Sequence, residues 1–469
     1  ALLTWASLNI IGGGEQVEKA IQKGLNEVFQ AVDKQFTEWG IEHNEKGWRA
    51  DAYLYCIEAT SPATGYRVPL SPSWVISEKY KVCAVLKPDH QNKRYEFEVV
   101  TGADKETLRK AKEGTVRAGR LVCPETGNET PISTIRGDRK IDGEKISGLR
   151  LWNNEDIVPR EDDIFLERLY CIRYIETFYT CAEEIIIGKR KFKKGECITE
   201  GDAGEGISFK MLQEEGKIKS NTRRHFVSPG EGDLKREALV LRLIKDRFHA
   251  WQTNGFIPSK KIIKGYNTAQ PIRERGWTFW HHLYNPRQLL LIGALNKFTA
   301  SLSDKHSKVF QLLRNAGLAD YNSELCRWNP GMSKGPGSTE QTFYNMALNT
   351  HYNYGTRALL TSKGTLFSTL NIEKFEADNK VLTLDARNIE ELNDFWITDP
   401  PYADAVNYHE LGDYFLAWYE KQLPELFPDW YSESRAALAV KGTGTSFNQS
   451  MVECYRNFTR HMPDNGAQV

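Results

Sequence analysis

The residues best suited to chemistry in this chain form the tetrapeptide Asp399-Pro400-Pro401-Tyr402. It follows the apolar stretch 395–398, which predicts a short buried strand ending at Asp399. The Asp399 carboxylate and the Pro400 carbonyl can both accept hydrogen bonds from an amine. The two prolines fix the backbone so that this carbonyl can point into a pocket. The ring of Tyr402 offers a face on which a planar group can stack.

The elements around the tetrapeptide predict how it is positioned. A second apolar stretch, 381–384, ends at Asp385, and a helix-compatible segment, 388–392, separates the two stretches. An order of strand, helix and strand, with polar residues after each strand, is typical of an open α/β sheet. Such a sheet binds ligands at the edge formed by the carboxyl ends of its strands. Further predicted elements are a helix at 414–421, a strand at 436–440 and a helix at 447–462.

Asp-Pro-Pro-Tyr at a strand end resembles the catalytic motif of the amino-methyltransferases, which methylate exocyclic nitrogens of DNA bases with S-adenosylmethionine. Such an amine is a poor nucleophile because its lone pair is delocalised into the ring. Under this resemblance, Asp399 and the Pro400 carbonyl hold the nitrogen towards tetrahedral geometry, in line with the methyl sulfonium. Tyr402 stacks on a base extruded from the duplex, and Pro401 helps to fix the backbone. The reaction needs neither a metal nor a covalent intermediate.

Two similar pentapeptides, 61–65 (Ser-Pro-Ala-Thr-Gly) and 123–127 (Cys-Pro-Glu-Thr-Gly), each lead into a short apolar strand. Paired zinc-ribbon turns have this layout, but a structural zinc site needs four thiolate or imidazole ligands. Only Cys123 occupies one of the four expected positions. We therefore expect a ribbon-like fold that holds its turns by packing and hydrogen bonds, without metal. The alternative interpretation is two unrelated Pro/Gly turns.

Several further segments look like the DNA adenine-specific methyltransferases that carry a zinc-ribbon insertion and often accompany phage-defence genes: 47–54, 167–170, 284–289, 320–323 and 347–350. The resemblance implies an α/β fold with a Rossmann-like methyltransferase sheet, a large inserted ribbon-like β module and a helical region. It implies methylation of adenine N6 in double-stranded DNA, with other defence-system proteins as candidate partners. It also implies that Asp385 accepts a hydrogen bond from the adenine amine of the cofactor, S-adenosylmethionine.

One departure from the family concerns the cofactor. The chain lacks the Asp-Pro-Phe-x-Gly-Ser-Gly-type loop, which in the family wraps the methionine part of S-adenosylmethionine and precedes the inserted region. The apolar opening run 1–10 lacks Met, and 467–469 read as the start of a strand. We therefore expect an internal piece of a longer enzyme; a frayed terminus is the alternative explanation of the ends.

The alternative function is a non-catalytic DNA-binding or scaffolding subunit, and cytosine N4 is a minor alternative substrate.

Composition limits the function classes. Lys plus Arg number 62 and Asp plus Glu also number 62, so the net charge is zero. A long-range electrostatic attraction of the whole protein to nucleic acid is therefore excluded, and any DNA site must be a local patch. The chain has no uninterrupted apolar run of roughly 18 residues, which predicts no membrane-spanning segment and no membrane partner. Its 8 scattered cysteines favour reduced thiols and a cytoplasmic location.

A length of 469 residues predicts two or three domains. We divide the chain into a helix joining the methyltransferase core (1–45), a degenerate zinc-ribbon-like module (46–150), a mixed, mainly helical inserted region (151–370) and the methyltransferase core (371–469). Three basic clusters of the inserted region could contact phosphates, although solvated loop tips are the alternative. They are 189–194, the set Lys217, Lys219, Arg223 and Arg224, and the set Lys260, Lys261 and Lys264.

Apolar spacing and capping residues predict the other elements. They are helices at 15–39 (stopping at Gly40) and 106–112, helices capped by Asp233, Asn285 and Asp304, and short strands at 53–55, 66–68, 81–86 and 95–100. The adjacent His281 and His282 could suggest a metal, but neighbouring residues point to different sides of a regular element. We expect a packing and hydrogen-bonding role for both.

Overall fold

The structure, a computed structural model, describes residues 1–187, 190–198, 209–367, 373–375, 378–399, 408–430 and 445–469. Over these residues the chain is a mixed α/β fold with a curled antiparallel sheet, so the α/β part of the expected fold class is confirmed. The strands are β1 (Arg49–Thr60), β2 (Arg67–Leu70), β3 (Val75–Ser77), β4 (Val82–Asp89), β5 (Arg94–Val100), β6 (Val116–Arg117), β7 (Arg120–Val122), β8 (Glu129–Pro131), β9 (Arg139–Ile141), β10 (Glu144–Ile146), β11 (Phe165–Cys181), β12 (Ile185–Ile187), β13 (Arg190–Phe192), β14 (Cys197–Ile198), β15 (Ile218–Val227), β16 (Trp328–Asn329), β17 (Ser338–Thr339), β18 (Asn353–Arg357), β19 (Phe395–Trp396) and β20 (Ala467–Gln468).

Helices cover the sheet and form most of the remaining core. They are α1 (Leu2–Ala6), α2 (Gly14–Trp39), α3 (Lys105–Glu113), α4 (Ile132–Ile135), α5 (Phe209–Glu214), α6 (Glu231–Lys245), α7 (Phe248–Thr253), α8 (Ala269–Arg275), α9 (Pro286–Ala300), α10 (Lys305–Tyr321), α11 (Leu359–Leu366), α12 (Tyr408–Trp418), α13 (Gln422–Leu426) and α14 (Thr445–Arg460). No helix of the described ranges combines the length and apolar character needed to cross a membrane.

The helix ends follow local chemistry. α2 ends where Gly40 adopts a left-handed conformation with φ of 65°, as predicted. Asn285 and Asp304 cap α9 and α10, because their side chains accept hydrogen bonds from the backbone N–H groups of Gln288 and Ser307, three residues further on. The predicted cap at Asp233 is wrong, because α6 begins at Glu231 and the Asp233 carboxylate instead accepts a hydrogen bond from the backbone N–H of Gly230.

Strand β1 lies at the centre of the main sheet and pairs antiparallel with β2, β11 and β18. Strand β11 also pairs with β14 and β15. The sequence predicted only a short part of β1 and did not predict β11. Nearly all of β1 and the middle of β11 are buried on both faces, so the period-two alternation that indicates a strand is absent.

A buried ion pair ties these strands together. Asp51 sits at a register shift of β1, between Ala50 and Ala52, and a bulge of this kind redirects a side chain. Its Oδ2 atom lies 2.7 Å from Nε of Arg173 on β11, and both residues are buried. Arg173 also donates to the carbonyl of Gly337, and the hydroxyl of Thr361 on α11 donates to Asp51. The pair therefore joins two strands, a loop and a helix.

We expect Asp51→Asn to lower the free energy of unfolding by about 3–5 kcal/mol, because it leaves the Arg173 guanidinium buried without its anion. Asp162→Asn, at an exposed aspartate, is the control and should change stability by less than about 0.5 kcal/mol. Chemical denaturation monitored by circular dichroism measures both. Equal effects of the two substitutions would show that the ion pair does not stabilise the sheet.

Candidate functional site

Asp399 is exposed and lies three residues after the end of β19. β19 pairs parallel with β20, and the backbone N–H and the hydroxyl of Thr398 both donate to the carbonyl of Val469, at 2.8 and 3.0 Å. The start of the motif is therefore anchored to the β20 segment. Pro400, Pro401 and Tyr402 lie outside the described residues, as does the predicted strand at 436–440.

Two expectations about the strands that precede the motif residues need correction. The stretch 381–384 forms no strand, because no described strand lies beside it to pair with its backbone. The stretch 395–398 forms a strand over only two residues and is not buried, since Phe395 is 67% and Ile397 84% exposed. A parallel pair needs cover on both faces to bury alternate side chains, and the described residues cover only the Trp396 face.

Helix α14 supplies that cover. The ring of Trp396 stacks on Phe458 with centroids 4.9 Å apart. The Asn457 side-chain amide donates to the carbonyls of Ala386 and Ile389, at 3.1 and 3.0 Å. The predicted helix at 447–462 is thus confirmed in position, and it holds the segment between Asp385 and Asp399 from one side.

Asp385 caps a short 3-10 helix that begins at Ala386. Its carboxylate accepts hydrogen bonds from the backbone N–H and the guanidinium of Arg387, the latter at 2.5–3.2 Å. The hydrogen bonds from Arg387 hold the pKa of Asp385 below its ordinary value. The group is therefore a fixed anion at neutral pH. Its two oxygens offer about four lone-pair sites, so it retains room to accept one further donor.

Helix α12, which starts at Tyr408 soon after the motif, packs into the helical region. The hydroxyl of Tyr284 donates to that of Tyr414, which donates to the carbonyl of Ala319 at 2.7 Å. The indole N–H of Trp418 donates to the hydroxyl of Tyr284 at 2.9 Å. These buried bonds fix α12 against α10 and the residues that precede α9.

The loop 259–268, which we call the lysine loop, is attached near the start of α12 and just after its end. The buried Glu410 carboxylate on α12 accepts hydrogen bonds from the backbone N–H groups of Tyr266 and Asn267, at 2.6 and 2.7 Å. At the other end the Ser259 hydroxyl donates to Glu420 at 2.7 Å. The loop presents Tyr266, which is 84% exposed, and the exposed Lys261 and Lys264. No carboxylate of the described residues pairs with Lys260 or Lys261.

In the other two basic clusters, carboxylates of the same region pair with four of the described cations. These clusters lie on or next to β13 and β15 around a separate small core that contains Phe192, which is completely buried. Their ion pairs are Arg190–Glu196, Lys191–Glu184, Lys217–Glu215 and Arg223–Glu176. The lysine loop is therefore the better candidate for phosphate contacts. Lys189 lies outside the described residues.

The two Pro/Gly turns of the predicted ribbon come together in space. Each closes with a hydrogen bond of 2.8 Å, from the N–H of Gly65 to Ser61 and from that of Gly127 to Cys123. Thr64 Oγ1 lies 3.6 Å from Cys123 Sγ across the two turns. In a zinc–thiolate tetrahedron with bonds of about 2.3 Å, neighbouring sulfurs are about 3.8 Å apart. Two unrelated turns would not be expected to match this spacing.

Hydroxyl groups surround the Cys123 thiol where a metal would otherwise sit. Burial acts to raise the pKa of Cys123, but hydrogen bonds from Tyr95, Thr64 and Thr126 outweigh it, and the pKa is lowered. Ser61, at the remaining position, is fully buried and its hydroxyl has no hydrogen-bond partner among the described residues. Within the described ranges no group of three or more His, Cys, Asp and Glu residues is arranged to hold a metal ion.

His281 and His282 are buried and have the packing and hydrogen-bonding role predicted for them. Their Nε2 atoms lie 2.9 Å from the carbonyls of Asn154 and Asn153. Nδ1 of His282 accepts hydrogen bonds from two backbone N–H groups, so both of its ring nitrogens are used. Burial lowers the pKa of His281 well below its ordinary value and that of His282 to about 3, so both rings are neutral.

No protein-family model, curated protein or solved structure matches this chain. The functional assignment therefore depends on the motif residues and on the geometry described above.

The turn geometry predicts that zinc binding can be restored. The triple variant Ser61→Cys, Thr64→Cys, Thr126→Cys, together with Cys123, should bind one Zn²⁺ because the two turns already hold ligand positions at thiolate spacing. Metal analysis after gel filtration and the charge-transfer bands of the Co²⁺ form measure this. The same variant with Cys123→Ser is the control and should lose the tetrathiolate spectrum. A triple variant that binds no more zinc than the wild type would contradict the paired-turn interpretation.

Proposed function

We propose that this chain is part of an S-adenosylmethionine-dependent methyltransferase that modifies adenine N6 in double-stranded DNA. The proposal includes a cytoplasmic location and a phage-defence or restriction-modification-like system with other defence proteins as partners. The observation that carries it is the sequence Asp-Pro-Pro-Tyr, whose first residue, Asp399, lies three residues after the end of β19. This strand pairs parallel with β20 across a connection that contains α12, α13 and α14, the kind of crossover used by Rossmann-like sheets. The close approach of the two ribbon turns supports the same family.

The described residues fit part of the cofactor. Asp385 is an anion with acceptor capacity left after its bonds to Arg387, as a contact with an adenine amine requires. S-adenosylmethionine supplies an electrophilic methyl group when bound. The residues of this chain would do the rest: Asp399 and the carbonyl of Pro400 accept hydrogen bonds from the target amine and orient its lone pair, and Tyr402 stacks on the extruded base.

Methyl transfer from labelled S-adenosylmethionine to DNA tests the proposal, with protein expressed from the complete reading frame. Digestion of the DNA and mass analysis of the nucleosides should give N6-methyladenine. Asp399→Ala should lower its rate of formation by roughly 10²–10³-fold, because an acceptor that acts on the reacting amine is lost. Asp464→Ala, at an exposed aspartate of the same region, is the control and should retain the rate.

The outcomes separate the candidate functions. Formation of N4-methylcytosine that depends on Asp399 would support the proposed chemistry of the motif, with cytosine instead of adenine as the target base. No methylated nucleoside with any DNA tested, together with retained DNA binding, would support the non-catalytic DNA-binding subunit instead.

The lysine loop is the DNA contact that we expect beside the motif, because Glu410 on α12 and Glu420 just after α12 hold it in place. Replacing Lys260, Lys261 and Lys264 by Gln should reduce the slope of log K against log salt by up to about 3, one phosphate for each lysine. The control triple variant, Lys191→Gln, Lys217→Gln, Arg223→Gln, removes three cations that are paired with carboxylates and should leave the slope nearly unchanged. Fluorescence anisotropy with a labelled duplex measures both slopes. A slope that is reduced in the control variant and unchanged in the lysine-loop variant would assign the phosphate contacts to the β13–β15 region.

A further inference from the structure

One edge of strand β11 is open over seven of its 17 residues. β15 pairs with β11 from Ile172 to Cys181, then leaves the sheet at Ser228 and Pro229 and leads into α6. In the described structure, residues 165–171 of β11 pair only with β1. An open edge presents a row of backbone donors and acceptors that can pair with another extended segment.

A groove runs along this open edge, and we call it the edge groove. Its main part has a volume of about 400 Å³ and is lined by Phe97, Tyr170, Leu234, Ala238 and Leu241, among others. A more open part of about 650 Å³ shares Val158, Glu167 and Leu241 with it. The two parts are therefore continuous. Apolar walls beside an open strand edge are the setting in which strand addition occurs.

The groove is acidic. Four glutamates, Glu96, Glu161, Glu167 and Glu237, line it, against two arginines, Arg67 and Arg168. Arg168 is held by ion pairs with Glu58 and Glu96. Glu237 accepts a hydrogen bond from Tyr55 and pairs with Arg287. Among the described residues, no cation forms an ion pair with Glu167. This arrangement favours a cationic occupant and opposes a nucleic acid.

Glu167 is partly buried, and its neighbour Glu324 is buried. Oε1 of Glu167 has no hydrogen-bond partner among the described residues. Glu324 is only 7% exposed, and both residues line a small cavity with Trp152, Phe165 and others. Burial and mutual repulsion raise the pKa of Glu167, and burial raises that of Glu324 to about 8. Buried polar atoms without partners are rare and costly, so a donor from outside would stabilise Glu167. A cationic donor would also lower the pKa of Glu167 and favour its charged form.

We propose that the edge groove binds an extended basic segment of a partner protein by strand addition. The backbone of the segment pairs with residues 165–171 and continues the edge that β15 leaves. Its Lys or Arg side chain reaches Glu167 and supplies the missing charge and hydrogen-bond donor. Apolar side chains on the same face of the segment contact Leu234 and Leu241 on α6. The proposal does not depend on methyl transfer.

Peptide binding tests this site. Fluorescein-labelled Thr-Val-Thr-Lys-Thr-Val-Thr-amide and its Gln- and Glu-centred counterparts are titrated with the protein and followed by anisotropy. The Lys peptide should bind at least tenfold more tightly than the Glu peptide. Glu167→Gln should reduce the preference for Lys over Gln to less than twofold. Hydrogen exchange should show new protection of the amides in residues 165–171 when the Lys peptide is bound.

Two surface variants of α6 provide the matched control. Ala238→Trp fills the groove from an exposed position and should weaken the Lys peptide at least tenfold, whereas Lys235→Trp, exposed but outside the groove lining, should not. Circular dichroism establishes that both variants are folded. The proposal is overturned if the Lys peptide does not bind the wild type at 1 mM peptide (on the order of the weakest specific affinities). Equal binding by the two α6 variants, or binding without protection of residues 165–171, overturns it as well.

Discussion

The buried pair of Asp51 and Arg173 is the constraint on which the rest of the fold depends. A charge this deeply buried is tolerated only when its partner and hydrogen bonds are in place, so the pair requires β1, β11 and α11 to be positioned together. The bulge at Asp51 also fixes the register of β1 on β11, because a slip of one residue would turn every side chain to the other face. The register of β11 in turn decides which of its residues β15 covers and which stay open in the edge groove.

A second set of buried contacts joins the motif region to this framework. Helix α12 follows the motif, and its Tyr414 and Trp418 are held by hydroxyl and indole hydrogen bonds to Tyr284 and to the carbonyl of Ala319. The lysine loop is attached to the same helix through Glu410. A displacement of α12 would therefore carry the lysine loop with it. The contact with α12 is enough to set the position of the lysine loop, whether or not the loop contacts the motif.

Local signals predicted the parts of the fold that local interactions determine. α2, α9 and α10 have apolar spacings and caps in the sequence, and the two Pro/Gly turns were recognisable from their residues alone. β11 was missed because burial of both faces removes the alternation that marks a strand. The stretches 381–384 and 395–398 look apolar enough for buried strands, but burial depends on neighbouring strands that sequence patterns cannot specify. The edge groove also has no local signal, because its walls come from β5, β11, α6 and the segment around Val158.

The charge balance explains how one neutral chain could serve two partners of opposite charge. At physiological ionic strength, exposed charges act over about 8 Å, so the total of zero has little influence on either surface. The lysines of the exposed loop are fully subject to this screening, as contacts with a phosphate backbone usually are. Glu167 is screened less because its Oε1 atom is buried, and the interaction with a cation that we propose would persist at salt concentrations that release DNA. The burial of the interacting charge, rather than the number of charges, therefore distinguishes the proposed recognition of a basic segment from the proposed recognition of DNA.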